Sequence, residues 1–184
     1  MRITTVNDPV LRQRAQEVER DELSSPETQR LIDELIATRR DAGGSGLAAN
    51  QVKALKRIAV VEVDEATRRR YPYKPPFPLT VIVNPSIEPL SEETLLINEG
   101  CLSIPGVRGD VERHVHVRVR FLDRHGEEQE VVIHGLTAGT FQHEVDHLDG
   151  VLFTDRADPG SLCSWEEFER DGMAEFLERI RPYT

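Results

Sequence analysis

His143-Glu144-Val145-Asp146-His147 carries the residue types best suited to chemistry in this chain. On an α-helix, positions four apart lie about one turn above each other, so the imidazoles at 143 and 147 can reach one metal ion. Glu144 follows the first ligand directly, where a carboxylate can exchange a proton with water at the ion. That arrangement serves metal-dependent hydrolysis. A solvated helix bearing two histidines and two acids by chance fits the same five residues, so the reading depends on a third ligand.

The extended zinc-protease spacing fails after His147: Gly150 is present, but Phe153 stands where a histidine is required. Upstream, Glu99-Gly100-Cys101-Leu102-Ser103 offers a thiolate, closed on its far side by Ile104-Pro105-Gly106. A lone cysteine is otherwise a small buried hydrophobe. Beside a His-x-x-x-His pair, the ligand reading is preferred. Glu166, Glu167 or Glu169 could instead complete a zinc endopeptidase site, an assignment that leaves Cys101 unexplained. Cys101 and Cys163 are the only cysteines. With no secretory signal and no apolar run of membrane length, a cytoplasmic chain without a disulfide is expected.

Gly44-Ser45-Gly46-Leu47-Ala48-Ala49-Asn50-Gln51 is the third informative segment. It lacks the third glycine of a dinucleotide fingerprint and the Gly-Lys-Ser/Thr of a phosphate loop. Taken in order, Gly-x-Gly-x-Ala-Ala-x-Gln (44–51), Glu-Gly-Cys-Leu-Ser (99–103) and Gln-His-Glu-x-Asp-His (142–147) resemble the signature of the peptide deformylase family. The resemblance runs from Asp8-Pro9-Val10-Leu11-Arg12 to Leu152-Phe153-Thr154-Asp155, nearly the whole chain.

The resemblance implies a bacterial-type deformylase that removes the formyl group from the N-terminal formylmethionine of new polypeptides and releases formate. It implies Cys101, His143 and His147 as ligands of one divalent metal. Ferrous iron is the family's preferred ion, with zinc, nickel or cobalt carried in some preparations. Glu144 is then the acid–base group, with the Gln51 side-chain amide and the Leu102 backbone N–H as donors to the oxyanion. Substrate contacts fall at Ser45, Gly46, Ile97, Leu136, Gly139 and Thr140, beside the ring of His143. Arg113 is expected between Glu99 and Asp146. Gly139 departs from the family, which commonly has a large side chain there; a roomier pocket is one reading and close packing against another backbone the other. A non-catalytic formyl-peptide or metal-binding module is a further alternative, opposed by the intact Glu144 and Gln51.

The elements that must position these residues follow from periodicity. Ser25 is a helix N-cap before Pro26, with Leu31, Ile32 and Leu35 at helical spacing and Gly43-Gly44 as the stop. Ile58–Val63 and Thr80–Val83 are expected as strands. Asp64 to Pro78, rich in Pro, Arg and Tyr, is expected as a loop, either a lid beside the cleft or a plain insertion; Arg68-Arg69-Arg70 within it is a solvated run. Val115, Val117 and Val119 alternate with polar residues as a half-exposed strand, returning near Glu130 to Ile133 after a turn at Asp123–Gly126. His114, His116, His125 and His134 are surface or packing residues. The metal-bearing helix is expected over Thr137–Leu148. Ser164 and Glu167 form a capping box, and Trp165, Phe168, Phe176, Leu177 and Ile180 mark one apolar face of a C-terminal helix. Packing on the body is its simplest role and ribosome contact the functional alternative.

At 184 residues, with 38% hydrophobic and 30% charged residues, the chain reads as one catalytic domain, 1–184. A net charge of −10 argues against stable nucleic-acid binding. The expected fold is α+β, with antiparallel sheets around a central metal-bearing helix and helices at the N- and C-terminal ends.

Overall fold

The Ser25 hydroxyl accepts a hydrogen bond from the Thr28 amide, and Gly43 in the left-handed region (φ +65°) stops the helix at Ala42. In the computed structural model, which describes residues 1–184, a single turn α1 (Arg20–Leu23) precedes this helix, α2 (Pro26–Ala42). Ile32 and Leu35 of α2 are fully buried against Ile58, Val60 and Val83. Burying side chains of this size contributes about 1.5–3 kcal/mol each.

Eight strands form two antiparallel sheets. One sheet has the order β1 (Gly46–Ala48), β2 (Ile58–Val63), β3 (Phe77–Pro89), β6 (His116–Leu122) and β7 (Glu128–His134). The other joins β4 (Thr94–Cys101), β5 (Ile104–His114) and the two-residue β8 (Cys163–Ser164). Every residue of β2 is buried, as its apolar run Ile58–Val61 leads one to expect, and the buried Glu62 is paired with Arg39 and Arg40. In β6, Val117, Val119 and Phe121 face inward while Arg118 and Arg120 reach Glu88 and Glu130 on neighbouring strands.

Helix α4 (Gly135–Leu148) carries His143 and His147 and packs on both sheets. Ala138, Phe141 and Leu148 share one apolar cluster with Ala59, Ile82, Val117 and Val119 of the five-stranded sheet. Leu136 joins another with Leu95 and Ile97 of β4 and with Phe176. The helix begins two residues earlier than expected, on Gly135 at φ +62°. Gly150 follows its C-cap Asp149; φ is +76°, and an added Cβ would lie 2.7 Å from the Arg12 carbonyl oxygen. Two independent constraints therefore hold glycine at 150.

Two expectations need correction. Residues 64–78 are not all loop: Asp64 accepts from the Thr67 amide (2.8 Å) and caps α3 (Glu65–Arg70), and β3 already begins at Phe77. Asp64 also binds Arg39 at 2.9 Å, and the three arginines fall in the helix's last turn, where positive charge is favoured. At the C-terminus, Ser164 and Glu167 do form the reciprocal capping box (3.1 and 2.8 Å). The helix is nevertheless broken into α5 (Trp165–Glu167), a π-helical turn (Phe168–Gly172) and α6 (Met173–Ile180). The wider turn shifts the helical phase. Phe168, Phe176 and Ile180 are buried, but Leu177 is 41% exposed and lies off that face.

Candidate metal centre and substrate cleft

Cys101 is the last residue of β4, at the tip of the hairpin with β5, where the pairing shifts register and Cys101 faces Ile104. The hairpin brings its sulfur to α4. One ligand atom each from Cys101, His143 and His147 lies within 4.8 Å of the other two, and Cys101 Sγ is 3.1 Å from His147 Nε2. Bonds to a divalent ion run about 2.0–2.3 Å for nitrogen and sulfur, so one ion can touch all three. The donor chemistry agrees. Burial raises the Cys101 thiol pKa, yet the charge of His147 and hydrogen bonds from both imidazoles outweigh it and leave the pKa well below the ordinary thiol value. Burial likewise opposes charge on His143, but Cys101 and Glu99 hold its pKa well above the usual imidazole value. The thiolate is the form that binds a metal, and an imidazole must be neutral to join it, so binding would release protons from this cluster.

Buried side chains fix the ligands from behind. His143 Nδ1 lies 2.8 Å from Glu99 Oε2, which leaves Nε2 for the ion. Arg113 binds Glu99 through Nε (2.8 Å) and Nη2 (3.0 Å) and Asp146 through Nη1 (2.6 Å), the bridge expected from the sequence. Arg156, which carries no local sequence signal, closes on both oxygens of Asp146 at 2.7 and 2.8 Å. Asn50 donates to the His147 carbonyl oxygen at 2.5 Å. His114, His116, His125 and His134 are absent from the cluster.

Glu144 is 3% exposed, and its Oε2 is buried without a protein partner. Burial raises its pKa, with smaller opposing pulls from His143 and His147. The carboxylate rests directly on Gly46, where any added Cβ would overlap it. That contact explains the second glycine of the 44–51 segment. Gln51 is held by its own Oε1, which accepts from the Ala48 amide at 2.9 Å. Its Nε2 is thereby turned toward Ser103 Oγ (3.0 Å) and Cys101 Sγ (3.7 Å).

One cleft is lined by Cys101, His143, Glu144, Gln51 and Leu102, and also by Ser45, Gly46, Ile97, Leu136, Gly139 and Thr140. Of the candidate site residues from the sequence, only His147 lies outside the lining; it is buried behind the cleft and joins Cys101 and His143 in the ligand cluster. Gly139 leaves no free room: an added Cβ would lie 2.5 Å from Ile97 Cδ1, so the neighbour is a side chain and not a backbone. Residues the sequence reading missed line the same cleft, among them Tyr71, Tyr73, Lys74, Arg108 and Trp165. Tyr71 meets Trp165 edge-on at 5.9 Å, and Tyr73 meets Phe176 at 5.2 Å. The segment after α3 is therefore a wall of the cleft packed on the C-terminal helices. Glu166, Glu167 and Glu169 are exposed and belong to no ligand group with the histidines.

Residues 1–162 match the family model described as polypeptide deformylase. The chain belongs to the polypeptide deformylase family. It is 40% identical over 166 residues to a peptide deformylase of Leptospira biflexa, covering 90% of this chain and 92% of that protein. Against the Xylella fastidiosa enzyme the figure is 43% over 174 residues, 95% and 92% of the two chains. Among solved structures, the Met-Ala-Ser-bound class I type b peptide deformylase of Acinetobacter baumannii superposes with a TM-score of 0.80 at 40% identity. That match covers 85% of this chain and 97% of that one. The Synechococcus elongatus deformylase in complex with actinonin gives a TM-score of 0.75 at 35% identity, covering 98% and 86%. The chain is thus an enzyme of a metal-dependent hydrolase family. The endopeptidase and binding-module alternatives are not favoured. No helix is long and apolar enough to cross a membrane.

Proposed function

We propose that the 184 residues act as one cytoplasmic catalytic unit that deformylates the N-terminal formylmethionine of nascent polypeptides. The observation that carries the reading is the convergence of Cys101, His143 and His147 beside a buried Glu144 and an oriented Gln51. Cys101, His143 and His147 would hold a divalent ion, which when bound supplies a Lewis acid and makes water a nucleophile near neutral pH. Glu144 accepts the proton that water gives up as it attacks the formyl carbon. It then delivers that proton to the amine nitrogen as the C–N bond breaks, yielding formate and a free N-terminus. Gln51 Nε2 and the Leu102 N–H donate to the oxyanion that forms on the formyl oxygen. Ferrous iron is the proposed cellular metal, since a thiolate with two imidazoles accommodates iron as well as zinc, nickel or cobalt. The acidic, largely exposed face of α6 argues for packing over tight ribosomal RNA contact; any ribosome contact would be transient.

Formate release from a formyl-methionyl peptide by anaerobically prepared, iron-loaded protein tests the reading. Cleavage of internal peptide bonds without formate would overturn it. Cys101→Ala reduces three protein ligands to two, and metal content after dialysis is expected to fall well below one ion per chain. Unchanged stoichiometry and affinity would remove Cys101 from the ligand set.

Ser45, Gly46, Ile97, Leu136, Gly139 and Thr140 are proposed to surround the substrate's first side chain. Because Ile97 already lies on Gly139, Gly139→Ile forces the Ile97 side chain into the cleft. The expected result is a roughly tenfold loss of kcat/KM for formyl-Phe relative to formyl-Met peptides, with metal content unchanged. An unmoved ratio in folded, metal-replete protein excludes position 139 from specificity.

A further inference from the structure

Arg39 is fully buried in the last turn of α2, and its side chain makes no hydrogen bond to a metal ligand, Glu144 or Gln51. Nη1 lies 2.9 Å from the Gly44 carbonyl oxygen, 3.0 Å from Thr67 Oγ1 and 3.2 Å from the Glu62 carbonyl oxygen. Two hydrogens thus serve three acceptors. Nη2 donates to the carboxylates of Glu62 and Asp64, the latter at 2.9 Å. One guanidinium therefore joins the end of α2, the segment entering β1, the end of β2 and the first turn of α3. Stability alone does not call for it. Apolar groups of similar volume often replace buried ion pairs without loss, and Nε here has no protein partner.

What the fork fixes is the segment Gly44-Ser45-Gly46. The Gly44 carbonyl takes Nη1, and the hydroxyl of the fully buried Thr67 stands 3.3 Å from the same oxygen. Glycine on either side of Ser45 leaves the backbone few steric limits of its own, so its anchors decide its course. Gly46 opens the three-residue β1, an edge strand that pairs only with β2. Gly46 also bounds the space that the Glu144 carboxylate occupies, since an added Cβ would overlap it. Glu144 Oε2 has no protein hydrogen-bond partner, so packing places this carboxylate.

We infer that Arg39 is a positioning residue for the reaction: through the Gly44 carbonyl it sets where Gly46 lies, and so where Glu144 meets the attacking water. The inference deepens the deformylase reading and rests on its role for Glu144. Proton transfer needs the heavy atoms about 2.6–3.2 Å apart, and a misplacement of about 1 Å can cost as much as about 100-fold. Arg40 supplies an internal comparison. It binds both oxygens of the same Glu62 at 2.9 Å, but its side chain makes no hydrogen bond to Gly44 or Thr67.

The test measures formate release from a formyl-methionyl peptide by folded, metal-loaded protein, with kcat expressed per bound ion. Arg39→Met leaves Glu62 with Arg40 and Asp64 with Thr67, so both carboxylates keep a partner. Its kcat is expected to fall by about tenfold or more, whereas Arg40→Met, which cuts the same charge network, stays within about twofold. A cycle with Glu144→Gln separates positioning from general damage. If Arg39 acts through Glu144, adding Arg39→Met to Glu144→Gln lowers kcat by less than about twofold more. A crystal structure of Arg39→Met should show Gly46 and the Glu144 carboxylate displaced. An unchanged kcat in Arg39→Met, an equal fall in Arg40→Met, or an undiminished fall on the Glu144→Gln background each overturns the inference. So does a crystal structure in which Gly46 and Glu144 have not moved. Should Arg39→Met fail to fold, Thr67→Val decides: it removes one polar contact of the Gly44 carbonyl, a fall in kcat of about threefold is expected, and an unchanged kcat overturns the inference. Absence of formate from wild-type protein counts against the deformylase reading instead, and the crystal structure then decides the positioning role alone.

Discussion

Glu144→Gln protein is expected to keep its metal while kcat for formyl-peptide hydrolysis falls by about 100-fold or more. The substitution preserves shape and volume, so it isolates the proton-accepting role. Three features of the site make the loss large. Glu144 is enclosed, and burial moves its carboxyl upward from the ordinary value, toward the pH at which a group can both take and return a proton. Its Oε2 has no protein partner to compete for that proton. Gly46 makes room for the carboxylate in this position, where any Cβ would displace it. Metal analysis and steady-state kinetics on the same preparation provide the check. Near-normal turnover in metal-replete protein would sink the assigned role, and a parallel loss of metal would recast Glu144 as part of the ligand shell.

The site was more legible than the walls around it, for a physical reason. Two histidines four apart have one strong geometric consequence on a helix, and that consequence depends only on local spacing. Cys101 was readable because it closes a glycine-flanked hairpin tip within an ordered set of motifs. Arg113 between Glu99 and Asp146 followed from the family pattern, and the structure joins the three. Arg156 was not legible: its contact with Asp146 spans a helix end and an irregular stretch, with no spacing rule to announce it. Residues 64–78 were read from composition as loop. The better signal was Asp64 ahead of Glu65-Ala66-Thr67, an N-cap that defines α3 despite the arginines and prolines that follow. Missing that helix also hid Lys74, whose approach to Ser45 and Thr140 depends on packing against residues about a hundred positions away. Strands β4 and β5 escaped for a related reason. Their sequence breaks alternation with Glu99, Arg108 and Arg113, all buried, and these charges are tolerable only because each finds partners in the fold. Leu177 shows the converse failure, since a π-helical turn five residues earlier altered the phase on which its burial was predicted.

Arg113→Ala is expected to cost about 3–5 kcal/mol of folding stability at pH 7, because it removes the buried cation that Glu99 and Asp146 share and leaves Glu99 with His143 as its one remaining partner. Arg113 is 3% exposed, and Glu99 and Asp146 are both 8% exposed. Arg156 can still serve Asp146, but in the wild-type protein only Arg113 and His143 serve Glu99. Burial alone would raise the Glu99 carboxyl; the charge of Arg113 and the bond from His143 instead hold it at about 2. A carboxyl depressed in the folded state stabilises the fold above its unfolded pKa, and that stabilisation is lost as pH falls through the folded value. The stability gap between wild type and Arg113→Ala should therefore be full above about pH 4.5 and shrink as pH is lowered toward 2. Urea unfolding across that range measures it. The ligand sphere should respond as well. With its anchor gone, Glu99 no longer fixes the tautomer and tilt of His143, and metal affinity is expected to drop by about 10–100-fold. A pH-independent gap would mean that Arg113 stabilises by packing alone. An unchanged metal affinity would mean that His143 is oriented by α4 without help from Glu99. Together the two measurements separate the charge network's contribution to folding from its contribution to holding the ion.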